Sequence, residues 1–129
     1  GPPPDMAVID PVYVVRPNTL EYQGIAIVQW PNVASGDTCA PIELCKYSER
    51  SIQLSGTLGP ATISLDGSLT GDVYETLLDH NGVPVSLDCN GVRQLSVLTR
   101  YAKPVITGAD GTTSVTITVM LKGVYGTVY

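Results

Sequence analysis

The sequence predicts a single all-β domain, a β-sandwich or jelly roll of short antiparallel strands. Three observations predict it. Apolar residues recur with a period of two at Ile52 and Leu54, at Ile63 and Leu65, and at Val115, Ile117, Val119 and Leu121. That spacing puts them on one face of a strand and the intervening Gln, Ser and Thr on the other. Turn residues punctuate the chain at roughly 8–12-residue intervals, as in sandwiches and barrels. No segment carries an amphipathic helix of useful length.

The elements follow in order. Residues 1–5 read as a protease-cleavage remnant or a disordered tail, with Met6 the candidate start and the folded domain at 6–129. Residues 7–15 form a first strand broken by Pro11, which marks an edge position or an arm. Arg16-Pro17-Asn18 is a turn. Residues 24–30 are nearly continuous in apolar character, so this second strand is expected to be covered on both faces. Residues 31–49 are the least regular part, and a loop of that length in a compact domain is usually functional or interfacial.

Residues 51–66 organise the rest. Two alternating runs flank Gly59-Pro60, where proline fixes φ and glycine tolerates positive φ, so the stretch predicts a β-hairpin with one buried face. Residues 67–71 turn into a strand at 73–78. Asp79-His80-Asn81-Gly82 and Asp88-Cys89-Asn90-Gly91 then predict two tight hairpin turns around a short strand at 83–87. Residues 92–98 and 100–107 are further strands, and Gly108-Ala109-Asp110-Gly111 turns into the last and cleanest one. The period-two pattern predicts inward Ile52, Leu54, Ile63, Leu65, Val115, Ile117 and Val119.

Composition narrows the function classes. At 129 residues the chain is long enough to bury a core without staples. With 43% hydrophobic and 15% charged residues it is too apolar for disorder. No apolar run approaches the ~20 residues of a membrane span, so no membrane role is expected. Few charges over so much apolar surface favour a homo-oligomer. A net charge of −5 and a pI near 4.5 argue against nucleic acid as a partner, since phosphate binding needs clustered Lys and Arg.

Reactive chemistry is sparse. Cys39 and Cys45 could bridge a short loop, or all three cysteines, Cys89 included, could stay reduced. A zinc site lacks a fourth ligand. His80 sits in a turn without a positioned partner for acid–base work. The two Asp-x-Asn-Gly turns begin like calcium loops but lack the later carboxylates. No glycine-rich phosphate loop opens a helix. Asp66, Glu75 and Asp79 could converge as paired carboxylates, though nothing singles them out. The expectation is a protein without catalytic residues, metal or cofactor.

Two weaker signals concern surfaces. Arg93, Arg100 and Lys103 fall within eleven positions of an acidic chain; they are either a solvated strand edge or a patch that docks on an acidic surface. The aromatics are Tyr13, Tyr22, Trp30, Tyr47, Tyr74, Tyr101, Tyr125 and Tyr129, with no Phe. Such side chains suit positions with one end buried and one wet, in core rims, at interfaces or as sugar platforms. The candidate interface residues are therefore Tyr13, Tyr22, Trp30, Arg93, Arg100, Tyr101 and Lys103, with Trp30 the first suspect for stacking on a sugar.

Beyond these readings, the order of motifs from Ser51 to Lys122 resembles small virion proteins of tailed bacteriophages, in particular head decoration (cement) proteins. The resemblance is carried by Ser-Ile-Gln-Leu-Ser-Gly-Thr at 51–57, Ala-Thr-Ile-Ser-Leu-Asp-Gly-Ser at 61–68, Arg100-Tyr101 with Lys103-Pro104, and Gly-Ala-Asp-Gly-Thr-Thr-Ser-Val-Thr-Ile-Thr-Val at 108–119. Those relatives have an Asn-Asp-Gly loop and a Trp after Asp-Gly-Ser; this chain has Leu69-Thr70-Gly71-Asp72 and Tyr74. Residues 6–50 carry no resemblance. It implies a structural protein made in the host cytoplasm and placed on the capsid exterior, a homotrimer, with the major capsid protein as partner. The 7–15 strand and the 31–49 loop are the expected contacts. The alternatives are a carbohydrate-binding or host-adhesion β-sandwich that takes a host-surface glycan, and a structural protein of the tail or neck.

Overall fold

A computed structural model describes residues 7–16, 24–44, 47–95 and 99–123 of the chain. Tyr22, Cys45, Tyr125, Tyr129 and the end of the strand expected at 92–98 lie outside those residues. The described strands are β1 (Val8–Ile9), β2 (Val12–Val15), β3 (Ile25–Val33), β4 (Thr38–Cys39), β5 (Ile42–Glu43), β6 (Tyr47–Thr57), β7 (Thr62–Ser68), β8 (Glu75–Thr76), β9 (Ser86–Leu87), β10 (Gly91–Leu95), β11 (Tyr101–Thr107) and β12 (Ser114–Gly123). No described residue is helical.

The strands form a β-sandwich. One sheet runs β10-β6-β12-β3-β2, the other β5-β11-β7-β8 with β9 also on β7, and β1 and β4 make a small parallel pair beside them. Every other pairing is antiparallel. Alternation explains the core directly: Ile52, Leu54, Ile63, Leu65, Val115, Ile117 and Val119 are all buried, and Leu121 continues the row on β12. Ser114, Thr116, Thr118 and Met120 lie on the outer face of the same strand.

The stretch at 51–66 is not a hairpin. β6 pairs with β12 and β10, whereas β7 pairs with β11, β8 and β9, so the Gly59-Pro60 turn carries the chain from one sheet to the other. A period of two reports which face is buried and says nothing of which strand is the neighbour, and a hairpin and a crossing share that pattern. The turn at 108–113 makes the same crossing between β11 and β12. Because β6 lies along β12 and β7 along β11, the two corners sit side by side.

Two local devices set the register. Gly56 adopts φ +104°, and a Cβ there would collide with the Ser114 carbonyl of β12, so only glycine lets the strands approach where β6 ends. In β3, Trp30 pairs with Ile117 but Val33 with Val115, which leaves one extra residue in β3. This bulge is made at Pro31-Asn32, where Asn32 takes φ 51° and its amide donates to Thr116 Oγ1 at 3.2 Å. With the extra residue, Val33 joins Ala26, Val28 and Trp30 in the core.

Several expectations are refined. Pro11 does break the first strand, into β1 and β2, and β2 is an edge. The second strand is covered fully on one face only, its other face being half-buried, because it lies between β12 and β2 under a largely open outer surface. The 31–49 loop contains the end of β3, β4, β5 and the start of β6. The first Asn-Gly does close a hairpin, with Asp79 N donating to Val83 O at 2.7 Å, but only Gly82 takes positive φ. The second is a sheet crossing, since β9 joins β7 and β10 joins β6.

Replacing Ile117, fully buried on β12, by Ala should lower unfolding free energy in urea by about 2–5 kcal/mol, the range for a large-to-small core change. Met120→Ala on the exposed face of that strand should stay within about 0.5 kcal/mol of wild type.

Candidate interaction surfaces

The sequence-predicted residues separate into four places. Arg100, Tyr101 and Lys103 come together at the start of β11. Tyr101 stands opposite Glu43 on one side and Ser68 on the other. Arg100 Nε lies 3.3 Å from Glu43 Oε2, and its guanidinium carbon is 5.1 Å from the Tyr101 ring centre. Lys103 Nζ sits 4.4 Å over the ring of Tyr74. Both charged side chains of the Arg100–Glu43 pair are half exposed, so the pair orients the surface more than it stabilises it. Burial, then neighbouring Tyr101 and Asp72, push the Tyr74 phenol above its ordinary pKa.

Arg93 does not join that cluster. It stands on β10 in the opposite sheet, 4.0 Å from Asp79 Oδ2. Asp79 Oδ1 accepts the Val83 amide at 3.0 Å and the Asn81 amide at 2.8 Å. The Val83 amide first, then Asn81 and the charge of Arg93, hold this carboxyl below its ordinary range against the opposing effect of burial. Asp66 meanwhile accepts the Ser64 and Thr76 hydroxyls. Both carboxylates serve their own turns and strands.

Trp30 is in the core. It is wholly buried, and its Nε1–H donates to the Ala40 carbonyl at 2.8 Å, so it offers no stacking face to a sugar. Its inward direction continues the alternation of Ala26 and Val28 along β3. Tyr13 is partly exposed on β2, and Tyr22 lies outside the described residues. Cys39 and Cys89 carry free thiols, the first buried and pushed up to about 12 by desolvation and then by Asp37, the second exposed.

Two apolar surfaces stand out, of which sequence reasoning missed the first. The first is an open groove of about 500 Å3 lined by Leu69, Thr70, Val73, Leu77, Leu78 and Thr99. Its rim is the 69–73 loop, pinned by the Ser68 hydroxyl, which accepts the Thr70 and Gly71 amides at 3.2 and 2.8 Å. The pinned backbone holds Leu69 and Val73 outward, 70% and 69% exposed. The signal was readable: two large apolar residues in a Gly-Ser-Thr-Asp stretch that no strand face needs. The second is β2, where Val12 and Val14 are exposed along with Tyr13. A buried arginine was missed as well. Arg50 on β6 sends Nη2 towards the Thr99 carbonyl at 3.2 Å and the Leu44 carbonyl at 3.5 Å, bridging from one sheet to segments beside the other.

Comparison places the fold. The SPBc2 prophage-derived protein YomS, known from a crystal structure, superposes with a TM-score of 0.60 over 80% of this chain and 98% of that one, at 11% identity. At that identity the likeness is one of fold. No family model and no curated protein matches the sequence.

Because Trp30 is enclosed and hydrogen-bonded, its emission should be that of an apolar environment. Iodide should not quench it until the protein unfolds, and glycans should leave it unchanged. Free access of iodide in the native state would put the ring on the surface.

Proposed function

We propose that this chain is a structural virion protein of a tailed bacteriophage that decorates the capsid exterior and stabilises the head, with the major capsid protein as its partner. The observation that carries the reading is the pinned 69–73 loop, which presents Leu69 and Val73 to solvent beside an apolar groove. Exposed apolar contacts rimmed by polar groups are the usual mark of a protein interface. The Tyr74–Lys103 and Arg100–Tyr101 contacts lie on the same sheet as the groove wall and supply aromatic and cationic groups of the kind that anchor interfaces. The fold it shares with a prophage-derived protein is compatible with a phage origin.

The work done is mass action. A protein that binds the mature shell and not its precursor stabilises only the former, by RT ln(1 + [L]/Kd) at each site, roughly 2.7 kcal/mol when free protein is a hundredfold above Kd. Many sites turn a modest contact into a large effect, so no strong single anchor is required. The carbohydrate-binding alternative has lost its tryptophan to the core. A tail or neck position keeps the same fold and the same kind of contact, and immunogold labelling of virions separates it from the head.

Purified protein mixed with shells that lack it should pellet with them and raise their disruption temperature. A Leu69→Asp, Val73→Asp double variant, folded by circular dichroism, should pellet at least about tenfold more weakly, about 1.4 kcal/mol in binding. Wild-type protein that stays in the supernatant at all concentrations overturns the decoration reading.

A further inference from the structure

We infer that the outer edge of β2 is a self-recognition surface, pairing antiparallel with β2 of a second copy about a two-fold axis. β2 ends its sheet, and among the described residues nothing pairs with its outer side. The strand reads Asp10-Pro11-Val12-Tyr13-Val14-Val15-Arg16. Val12, Tyr13 and Val14 are 54%, 38% and 56% exposed, so apolar side chains of both parities face solvent. A charge within the strand is one of the ways an edge is protected; here none lies between Asp10 and Arg16. The register shift between Tyr13 and Val15, together with Pro11, shortens the usable edge without covering it.

The charges choose the occupant. Asp10 and Arg16 are both exposed and form no ion pair within the described chain. They stand three residues either side of Tyr13. An antiparallel pair centred there sets Tyr13 against Tyr13, Val12 against Val14, and Asp10 against Arg16 at both ends. Parallel pairing would put Asp10 beside Asp10 and Arg16 beside Arg16, and directly opposed like charges destabilise a ladder. The surface is therefore complementary to itself, which is the requirement for an isologous two-fold contact. It joins two five-stranded sheets edge to edge. So short a ladder buries less than a standard interface of about 1,200–2,000 Å2, so the pair is weak and depends on concentration. Such an edge closes at two copies, not the three implied by the resemblance to decoration proteins, and the inference does not depend on the decoration reading.

Sedimentation velocity of the full chain across a range of concentrations tests this. Wild type should move from a 13.6 kDa species to one of twice that mass. Asp10→Arg and Arg16→Asp, each placing like charges at both ends of the ladder, should each weaken pairing by about tenfold or more, and the double reversal should restore it. Circular dichroism checks that each variant is folded. As an independent measurement, Tyr13→Cys in a Cys89→Ser background should give a disulfide-linked dimer under mild oxidation. The two Cα atoms would stand about 4.5–5.5 Å apart across the axis, within bridging range. Four results overturn the inference: a monomer at all concentrations, a trimer, an oligomer indifferent to single reversals, or a double reversal that does not restore pairing.

Discussion

One hydrogen bond ties together the two corners at which the chain crosses between the sheets. Thr113, at the turn between β11 and β12, donates its hydroxyl to the Leu58 carbonyl at the turn between β6 and β7, at 2.9 Å and in a buried setting. Thr113 Oγ1 itself accepts the Asp110 amide at 3.1 Å, so one side chain closes its own turn and ties it to the other. Both corners cross between sheets, and a sandwich whose sheets are joined only by packing needs something to fix how they face. Gly59 permits the approach, since a Cβ on it would come within 2.7 Å of Thr112 Oγ1. Arg50 makes a comparable bridge from the far part of β6 to the carbonyls of Leu44 and Thr99.

Read from sequence, the faces of the strands were legible and their partners were not. Alternation at 52–54, 63–65 and 115–121 names the inward residues because a side chain's face depends only on local geometry. Neighbours depend on chain crossings, and Gly59-Pro60 or Asn90-Gly91 read the same whether the chain folds back or crosses over. Trp30 shows the second limit. It shares the inward parity of Ala26 and Val28, which a run apolar at nearly every position hides, and the bulge at Asn32, visible in the pairing with β12, brings Val33 in beside it.

The candidate surfaces divide in the same way. Arg100, Tyr101 and Lys103 are close in sequence on one strand, so their proximity survives folding, whereas Arg93 lies on another sheet and meets Asp79. The three basic residues therefore do not form one patch, which leaves apolar contact as the principal driving force on offer. Leu69 and Val73 owe their exposure to a loop that Ser68 pins, and Val12 and Val14 owe theirs to an edge position. Both sets of apolar groups are thus held out by backbone geometry, at a pinned loop and at a sheet edge.

The most direct test of this account is the stability of Thr113→Val beside Thr113→Ser, by urea unfolding at neutral pH. Valine keeps the shape of threonine but removes the hydroxyl that ties the corners, leaving the Leu58 carbonyl only the Ala61 amide of its own turn at 3.1 Å and the Asp110 amide without its acceptor. The account predicts a loss of about 0.5–1.5 kcal/mol for valine, the net contribution of a typical intramolecular hydrogen bond. Serine, which keeps the hydroxyl, should lose distinctly less, and the dependence on urea should be unchanged in both. A valine variant as stable as wild type, or less perturbed than serine, would contradict the claim that the corner hydrogen bond fixes the two sheets.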